Sequence, residues 1–153
     1  HKMKAATLRL FYPYGEMDNQ KLMVLLMKSI LANTPIDLTS GEQELNFTYV
    51  SDIVEAYVRG IEYLTHQNSS RHEIINIGQT ESVTIRDVVA ILERMDKKAR
   101  NIHLGTVPYP PGEIMFAKAD ITKAKRLLSW KPSVPIEEGL TKMYNYYKQH
   151  GFH

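Results

Sequence analysis

The stretch Phe47-Thr48-Tyr49-Val50-Ser51-Asp52-Ile53-Val54-Glu55-Ala56 changes its period partway along. Its first half belongs to an apolar run, Leu45–Val50, that suits a strand. At Ser51, a capping residue type, the pattern turns helical. Ile53, Val54, Tyr57, Val58, Ile61 and Leu64 make one apolar face of a helix predicted over Asp52–Thr65.

The alternation of strand and helix continues in both directions. Toward the N-terminus, Ala5–Phe11 reads as a strand and Tyr12-Pro13-Tyr14-Gly15 as a turn. Asp18 or Asn19 is placed to cap a helix through Leu22, Leu25, Leu26, Ser29 and Ile30, which Asn33-Thr34-Pro35 ends. Ile36–Leu38 is a short strand and Thr39–Glu42 a turn. Toward the C-terminus, Gln67–Ser70 is a polar loop and Glu73–Gly78 an apolar strand. Thr84 caps a helix over Ile85–Met95, with Asp87 where a negative charge complements the helix dipole. His103–Val107 is a further predicted strand, and Tyr109-Pro110-Pro111-Gly112 a rigid loop. A helix over Thr122–Leu128, a break at Trp130-Lys131-Pro132 and a last helix from Ile136 to Gln149 complete the chain. The alternation argues for an α/β fold with parallel pairing: a small lobe added to part of a larger sheet.

Composition bounds the function. The 153 residues fit one domain, and 43% hydrophobic with 24% charged residues is the make-up of a soluble globular protein. The absence of cysteine excludes disulfide and thiol chemistry and is compatible with a reducing cytosol. Nineteen basic and seventeen acidic residues, interspersed, give a net charge of +2. The longest basic cluster, Lys97-Lys98-Ala99-Arg100, has no interleaved aromatics, so no nucleic-acid partner is expected. The apolar run Leu22–Ala32 is broken by Lys28 and Ser29 and is too short to span a bilayer. With no leader pattern at the start, a cytoplasmic location and no membrane partner are expected. The six histidines, at 1, 66, 72, 103, 150 and 153, join no carboxylate in a ligand constellation, so no metal is expected. Met17, Met23 and Met27 read as core filler, and Asp52 and Asp120 as cap or turn residues. A strand almost at residue 1, without an initiator Met, suggests that a preceding segment has been removed.

Five segments, in order, carry a resemblance. They are Leu8-Arg9-Leu10-Phe11-Tyr12-Pro13-Tyr14-Gly15, Phe47–Ala56, Asn76-Ile77-Gly78, Pro111-Gly112 with Ala119-Asp120-Ile121-Thr122-Lys123-Ala124, and Trp130-Lys131-Pro132 with Glu137-Glu138-Gly139-Leu140. Together they resemble the C-terminal portion of the extended short-chain dehydrogenases/reductases: nucleotide-sugar epimerases, dehydratases and 4-ketoreductases. The stretch Asp37–Gln43 is most similar to the deoxysugar branch, including abequose-type synthases. The resemblance implies the last strands and helices of a Rossmann-like parallel sheet plus a small α/β substrate-binding lobe, spanning residues 1–153. It implies NAD or NADP as cofactor of a full-length enzyme that transfers a hydride at a sugar carbon. The glycine loop that holds the cofactor pyrophosphate is missing: none of the eight glycines falls in such a cluster. Tyr144 and Lys148 have the spacing of the family's Y-x-x-x-K, but the expectation is that Tyr144 and Tyr147 pack a helix face while Lys148 stays wet. No catalytic residue is therefore expected here, and the chain alone is expected to be inactive.

Residue by residue, the resemblance puts Phe11, Tyr12 and Pro13 beside the nicotinamide. Tyr12 stands where many relatives carry a substrate-holding Asn, with a plain turn aromatic as the alternative. Lys21 and Leu22 match a pair that meets the nucleotide diphosphate, the alternative being a solvated first-turn lysine. Leu38 matches a position beside the nucleobase. Asn76 matches one that bonds the nucleotide, unless it serves local backbone. Leu45 and Pro110 replace two arginines that clamp the diphosphate, a loss of a few kcal/mol unless Arg9, Lys118 or a residue elsewhere compensates. The expected partners are a nucleotide-diphosphate sugar, the missing N-terminal part of the same enzyme and a second copy, since a cut sheet exposes an edge and apolar faces. A non-catalytic binding or interaction module that keeps the lobe's fold is the competing reading.

Overall fold

The computed structural model describes residues 3–17, 21–66 and 72–152. In chain order it contains β1 (Ala5–Leu10), β2 (Pro13–Tyr14), α1 (Leu22–Ala32), β3 (Ile36–Leu38), β4 (Glu44–Leu45), β5 (Thr48–Tyr49), α2 (Val50–Thr65), β6 (His72–Ile77), β7 (Val83–Thr84), α3 (Ile85–Met95), a 3-10 turn (Lys97–Asn101), β8 (Ile102–Leu104), β9 (Phe116–Ala117), α4 (Thr122–Leu128) and α5 (Ile136–His150). The fold is α/β, with mostly parallel sheet pieces: β1 with β6, β2 with β5, β3 with β8, and β4 between antiparallel β7 and parallel β9.

Two hydrophobic cores divide the chain. In one, α2 and α4 cover a single face of the β1–β6 pair: Ile53 and Ala56 meet Ile75, Ile77, Ala124, Leu128 and Trp130. In the other, α1, α3 and α5 pack around Tyr14, Leu45, Phe47 and Tyr49 to make the lobe. Asp52, buried at the start of α2, ties the two together. Its Oδ1 accepts from the Ser133 N–H (3.1 Å) and hydroxyl (2.7 Å), and its Oδ2 from the Val134 N–H (3.1 Å). The Trp130 indole donates to the Asp52 carbonyl at 2.9 Å.

Several local expectations are corrected. The predicted strand Leu45–Val50 is two short strands in different sheets. Asn46 between them is fully buried and donates to the Gln79 and Glu81 carbonyls (3.0 and 2.9 Å), leading the chain out of the first ladder. A Cβ at Gly78 would run into Asn46 Oδ1 and Ala119 Cβ, so glycine is required for this approach. α2 starts at Val50 with Tyr49 at the cap position, so Ser51 is an exposed first-turn residue and not the cap. α1 starts after Lys21; the expected caps Asp18 and Asn19 lie outside the described residues, as does the whole of the Gln67–Ser70 loop. The strand predicted to reach Val107 ends at Leu104, because the N–H groups of Gly105, Thr106 and Val107 all turn back onto the Leu38 carbonyl. Met23 and Met27 fill the core, whereas Met17 is 77% exposed.

α2 departs most from expectation. Ile53, Ala56 and Gly60 are buried, but Val54, Tyr57, Val58 and Ile61 of the predicted apolar face stand 57, 50, 50 and 64% exposed. Among the described residues β1 pairs only with β6, so its other edge is open.

Thr84 caps α3 as predicted, in a reciprocal box. Its hydroxyl accepts from the Asp87 N–H (3.0 Å), and the Asp87 carboxylate accepts from the Thr84 N–H (2.9 Å) and hydroxyl (2.6 Å). The hydroxyl bond, then the backbone bond, holds the Asp87 carboxyl below its usual range. A carboxyl depressed in the folded state contributes stability that is complete above the unfolded value, about 4, and is lost as pH falls through the folded value. Thr84→Val is expected to cost about 1 kcal/mol at neutral pH. The loss should shrink in urea unfolding below pH 3; an equal loss at both pH values would separate Asp87 from the box.

Candidate functional site

The site is built where the chain leaves the sheet for the lobe. β1 ends with the Phe11 N–H donating to the Ile77 carbonyl at 2.9 Å, and the half-buried Phe11 ring packs against the α2–α4 core. Tyr12 then adopts φ +35°, a left-handed conformation that costs a non-glycine residue on the order of 1–2 kcal/mol. That turn aims β2 into the lobe, where the Thr48 N–H donates to the Tyr12 carbonyl at 3.1 Å. Phe47 meets Tyr12 edge-on (centroids 5.7 Å apart) and Tyr14 edge-on (6.3 Å), fixing all three rings.

The N-terminus of α1 closes the opposite side. A recess of about 310 Å³ results, lined by Tyr12, Pro13, Tyr14, Lys21, Leu22, Met23 and Phe47. A neighbouring recess of about 240 Å³ shares Pro13, Tyr14 and Lys21 with it. The electrostatics favour an anion at this end of α1: Lys21 occupies the cap position, its side chain makes no capping bond, and the first turn holds no acidic residue. Beside the recess, burial and then the nearby Glu113 carboxylate raise the Tyr12 phenol above its ordinary range. Glu113 is itself held by the buried Gln43 amide, which donates to it at 3.2 Å.

Of the residues singled out from sequence, Tyr12, Pro13, Lys21 and Leu22 line this one recess. Phe11 lies at its base in the chain, ending β1. Leu38, Leu45, Asn76 and Pro110 do not line it. Leu38 sits half-buried in β3; Leu45 is buried in β4, paired with Val83 and Ala117; Pro110 is exposed in its loop. The Asn76 amide donates to the Asp120 carbonyl at 3.3 Å. Asp120 in turn accepts from the Thr122 N–H at 2.9 Å just before α4, whose cap position is Ile121, so of the cap or turn roles read from sequence it takes the turn.

Phe47, Tyr14, Met23 and Glu113 are additions to the sequence reading. Phe47 had a signal in the quoted strand, and Glu113 follows the Pro111-Gly112 turn. Tyr14 and Met23 reach the recess only through tertiary packing. The Tyr144–Lys148 pair lines a separate cleft with Leu31, Asp96 and Phe152. There the Tyr144 hydroxyl donates to Asp96 at 2.8 Å, Tyr147 is buried against Phe152, and the Lys148 ammonium lies 5.6 Å from the Tyr144 ring centre.

The chain's residues do not fit a whole dinucleotide, since its glycines form no phosphate-holding loop. Phe11, Tyr12 and Pro13 fit only as one wall of such a site.

The chain matches, over residues 1–143, the family model described as GDP-mannose 4,6 dehydratase. It is 32% identical over 148 residues to the UDP-glucuronate 4-epimerase of Thermodesulfobacterium geofontis, which covers 94% of this chain and 43% of that protein. CDP-abequose synthase of Salmonella muenchen is 30% identical over 137 residues, 89% of this chain and 45% of that protein. The solved UDP-glucuronic acid 4-epimerase of Bacillus cereus, in complex with UDP-glucuronic acid and NAD, superposes with a TM-score of 0.80 at 32% identity, over 93% of this chain and 44% of that one. The chain thus spans less than half the length of these relatives.

Proposed function

Since this chain belongs to the GDP-mannose 4,6 dehydratase family, within the nucleotide-sugar epimerases and dehydratases of the extended short-chain dehydrogenases/reductases, we propose that it is the substrate-binding portion of an NAD(P)-dependent nucleotide-sugar enzyme of the cytoplasm. The observation that carries this reading is the gathering of Tyr12, Pro13, Lys21 and Leu22 around one recess at the N-terminus of α1. A diphosphate suits that place, because the helix dipole and the Lys21 ammonium both favour negative charge. Tyr12 and Pro13 form the wall that faces the reacting sugar and the nicotinamide. Bound in the full-length protein, the nicotinamide supplies or accepts the hydride at a sugar carbon. The open edge of β1 and the exposed face of α2 receive the cofactor-binding part, and this chain alone turns nothing over.

Titration calorimetry with CDP-, UDP-, GDP- and dTDP-sugars tests the reading. Micromolar binding of at least one is expected, and Lys21→Glu should weaken it roughly tenfold to a hundredfold, since a bond to a charged group is worth about 1.5–3 kcal/mol. Failure of every nucleotide sugar to bind removes the reading. It would favour an interaction module instead, in keeping with the replacement of both clamp positions by Leu45 and Pro110.

A further inference from the structure

Two features of the sequence take no part in the recess: the basic cluster Lys97-Lys98-Ala99-Arg100 and the Tyr144–Lys148 pair. The fold brings them together. They meet in a cleft of about 580 Å³ at the other end of α1, whose walls include Leu31, Lys98, Tyr144, Tyr147, Lys148 and Phe152. That volume lies within the range of about 300–1,000 Å³ that holds small ligands. The basic cluster has no aromatics of its own in sequence, and α5 and the residues after it supply them. Phe152 stacks on buried Tyr147 with ring centres 4.4 Å apart. Ammonium groups stand over the rings, Lys28 at 5.5 Å from the centre of Phe152 and Lys148 at 5.6 Å from that of Tyr144.

Among the described residues that line the cleft, Asp96 is the one acid, and it is already engaged. It accepts from the Lys98 N–H at 3.0 Å and from the Tyr144 hydroxyl at 2.8 Å. Two lining lysines, with Lys28 beside them, therefore face one carboxylate. α1, α3 and α5 all end here, so their C-terminal carbonyls offset part of the positive charge deep in the cleft. An anion is thus expected at the rim, on the tips of the exposed lysines. Burial, then the bond to Asp96, holds the Tyr144 phenol above its ordinary range, so it stays neutral and offers no base. The cleft is suited to binding and not to proton transfer.

An exposed ammonium over a ring is weakly held. A planar ring can take its place on the aromatic face, and the freed ammonium then pairs with an anionic arm. We propose that this cleft is a second binding site, for a nucleoside phosphate, with the base against Phe152 and Tyr144 and the phosphate on Lys98 and Lys148. The site stands apart from the recess and holds whether or not the recess takes a nucleotide sugar.

Titration calorimetry with AMP, CMP, GMP and UMP tests this on the wild-type chain and, in parallel, on Lys21→Glu, in which the recess is weakened. Each nucleotide is expected to bind Lys21→Glu with a Kd below about 1 mM, and all four within roughly tenfold, because every base has a face to stack. Ribose 5-phosphate, the same anion without the ring, should bind roughly fivefold to a hundredfold more weakly. Adding Lys98→Gln and Lys148→Gln should weaken AMP by roughly tenfold to a hundredfold. Both lysines are exposed, so that variant is expected to fold. Ribose 5-phosphate binding as tightly as AMP overturns the stacked ring. AMP affinity that is unchanged by loss of the two lysines, or that is present in wild type and lost in Lys21→Glu, overturns the assignment to this cleft. Failure of all four nucleotides to bind either chain removes the site altogether.

Discussion

Asp52→Ala is expected to destabilise the protein by about 3 kcal/mol, near the upper end of what single substitutions cost. The carboxylate accepts three bonds from residues about eighty positions away in sequence. Removing it takes the acceptor from two main-chain N–H groups, of which that of buried Val134 alone is a loss of about 1–3 kcal/mol. The residues it joins belong to different cores. Ile53, next to it in α2, packs in the sheet core; Val134, which donates to it, packs in the lobe. Asp52→Ala should therefore loosen the lobe from the sheet as well as lower the midpoint, by roughly 6–12 °C for a domain of this size. Trp130, the single tryptophan, is buried and donates to the Asp52 carbonyl, so its fluorescence reports on this joint directly. Asp52→Asn, which keeps one acceptor oxygen, should lose about half as much. A loss under 1 kcal/mol for the alanine variant would show that Asp52 does not join the two cores.

Much of this architecture is legible in the sequence. Thr84 and Asp87 form the box their spacing predicts, because capping is local chemistry between residues three apart. α1, α4 and α5 stand where the sequence places helices, although Leu25 of the expected α1 face is 38% exposed and Met23, Val24 and Met27 are buried beside Leu26 and Ile30, and the order of strands and helices gives the parallel pairing. What escaped prediction depends on distant partners. Asn46 breaks the 45–50 run because the Gln79 and Glu81 carbonyls meet it, and nothing within that run announces them. Met17 is apolar yet exposed, since its left-handed backbone turns it out of the lobe. The recess itself was legible as separate residues, Tyr12 and Pro13 in a turn, Lys21 and Leu22 at a helix start. Their convergence rests on a positive φ at a tyrosine, where propensity would place a glycine or an asparagine. Among the described residues, no arginine lines the recess.

Charge placed on the outer face of α2 is expected to abolish association without unfolding the chain. Val50, Val54, Tyr57, Val58 and Ile61 recur at helical spacing and are each between about one-third and two-thirds exposed, with Ile74 of β6 also exposed. A continuous apolar stripe of this kind marks an interaction surface. The open edge of β1 adds unpaired backbone groups to the same sheet unit, and parallel strands are rarely left uncovered. In the proposed full-length enzyme the cofactor-binding part takes this place; in the isolated chain a second copy is the available cover. Wild-type chain at tens of micromolar should therefore sediment well above its monomer mass of 17.6 kDa. Covering each half-exposed side chain contributes roughly 1 kcal/mol, and an unpaired carboxylate in its place adds a further desolvation cost. Val54→Glu with Ile61→Glu should accordingly weaken association by about a hundredfold or more. The variant stays folded, because Ile53, Ala56 and the Asp52 bonds still anchor α2 from its other side. Neither residue lines the recess, so titration with the accepted nucleotide sugar should match wild type. In the full-length enzyme the same pair should remove turnover while sparing substrate binding. A wild-type chain that sediments as a monomer, or a doubly charged variant that associates as strongly as wild type, would mean that this face of α2 docks nothing.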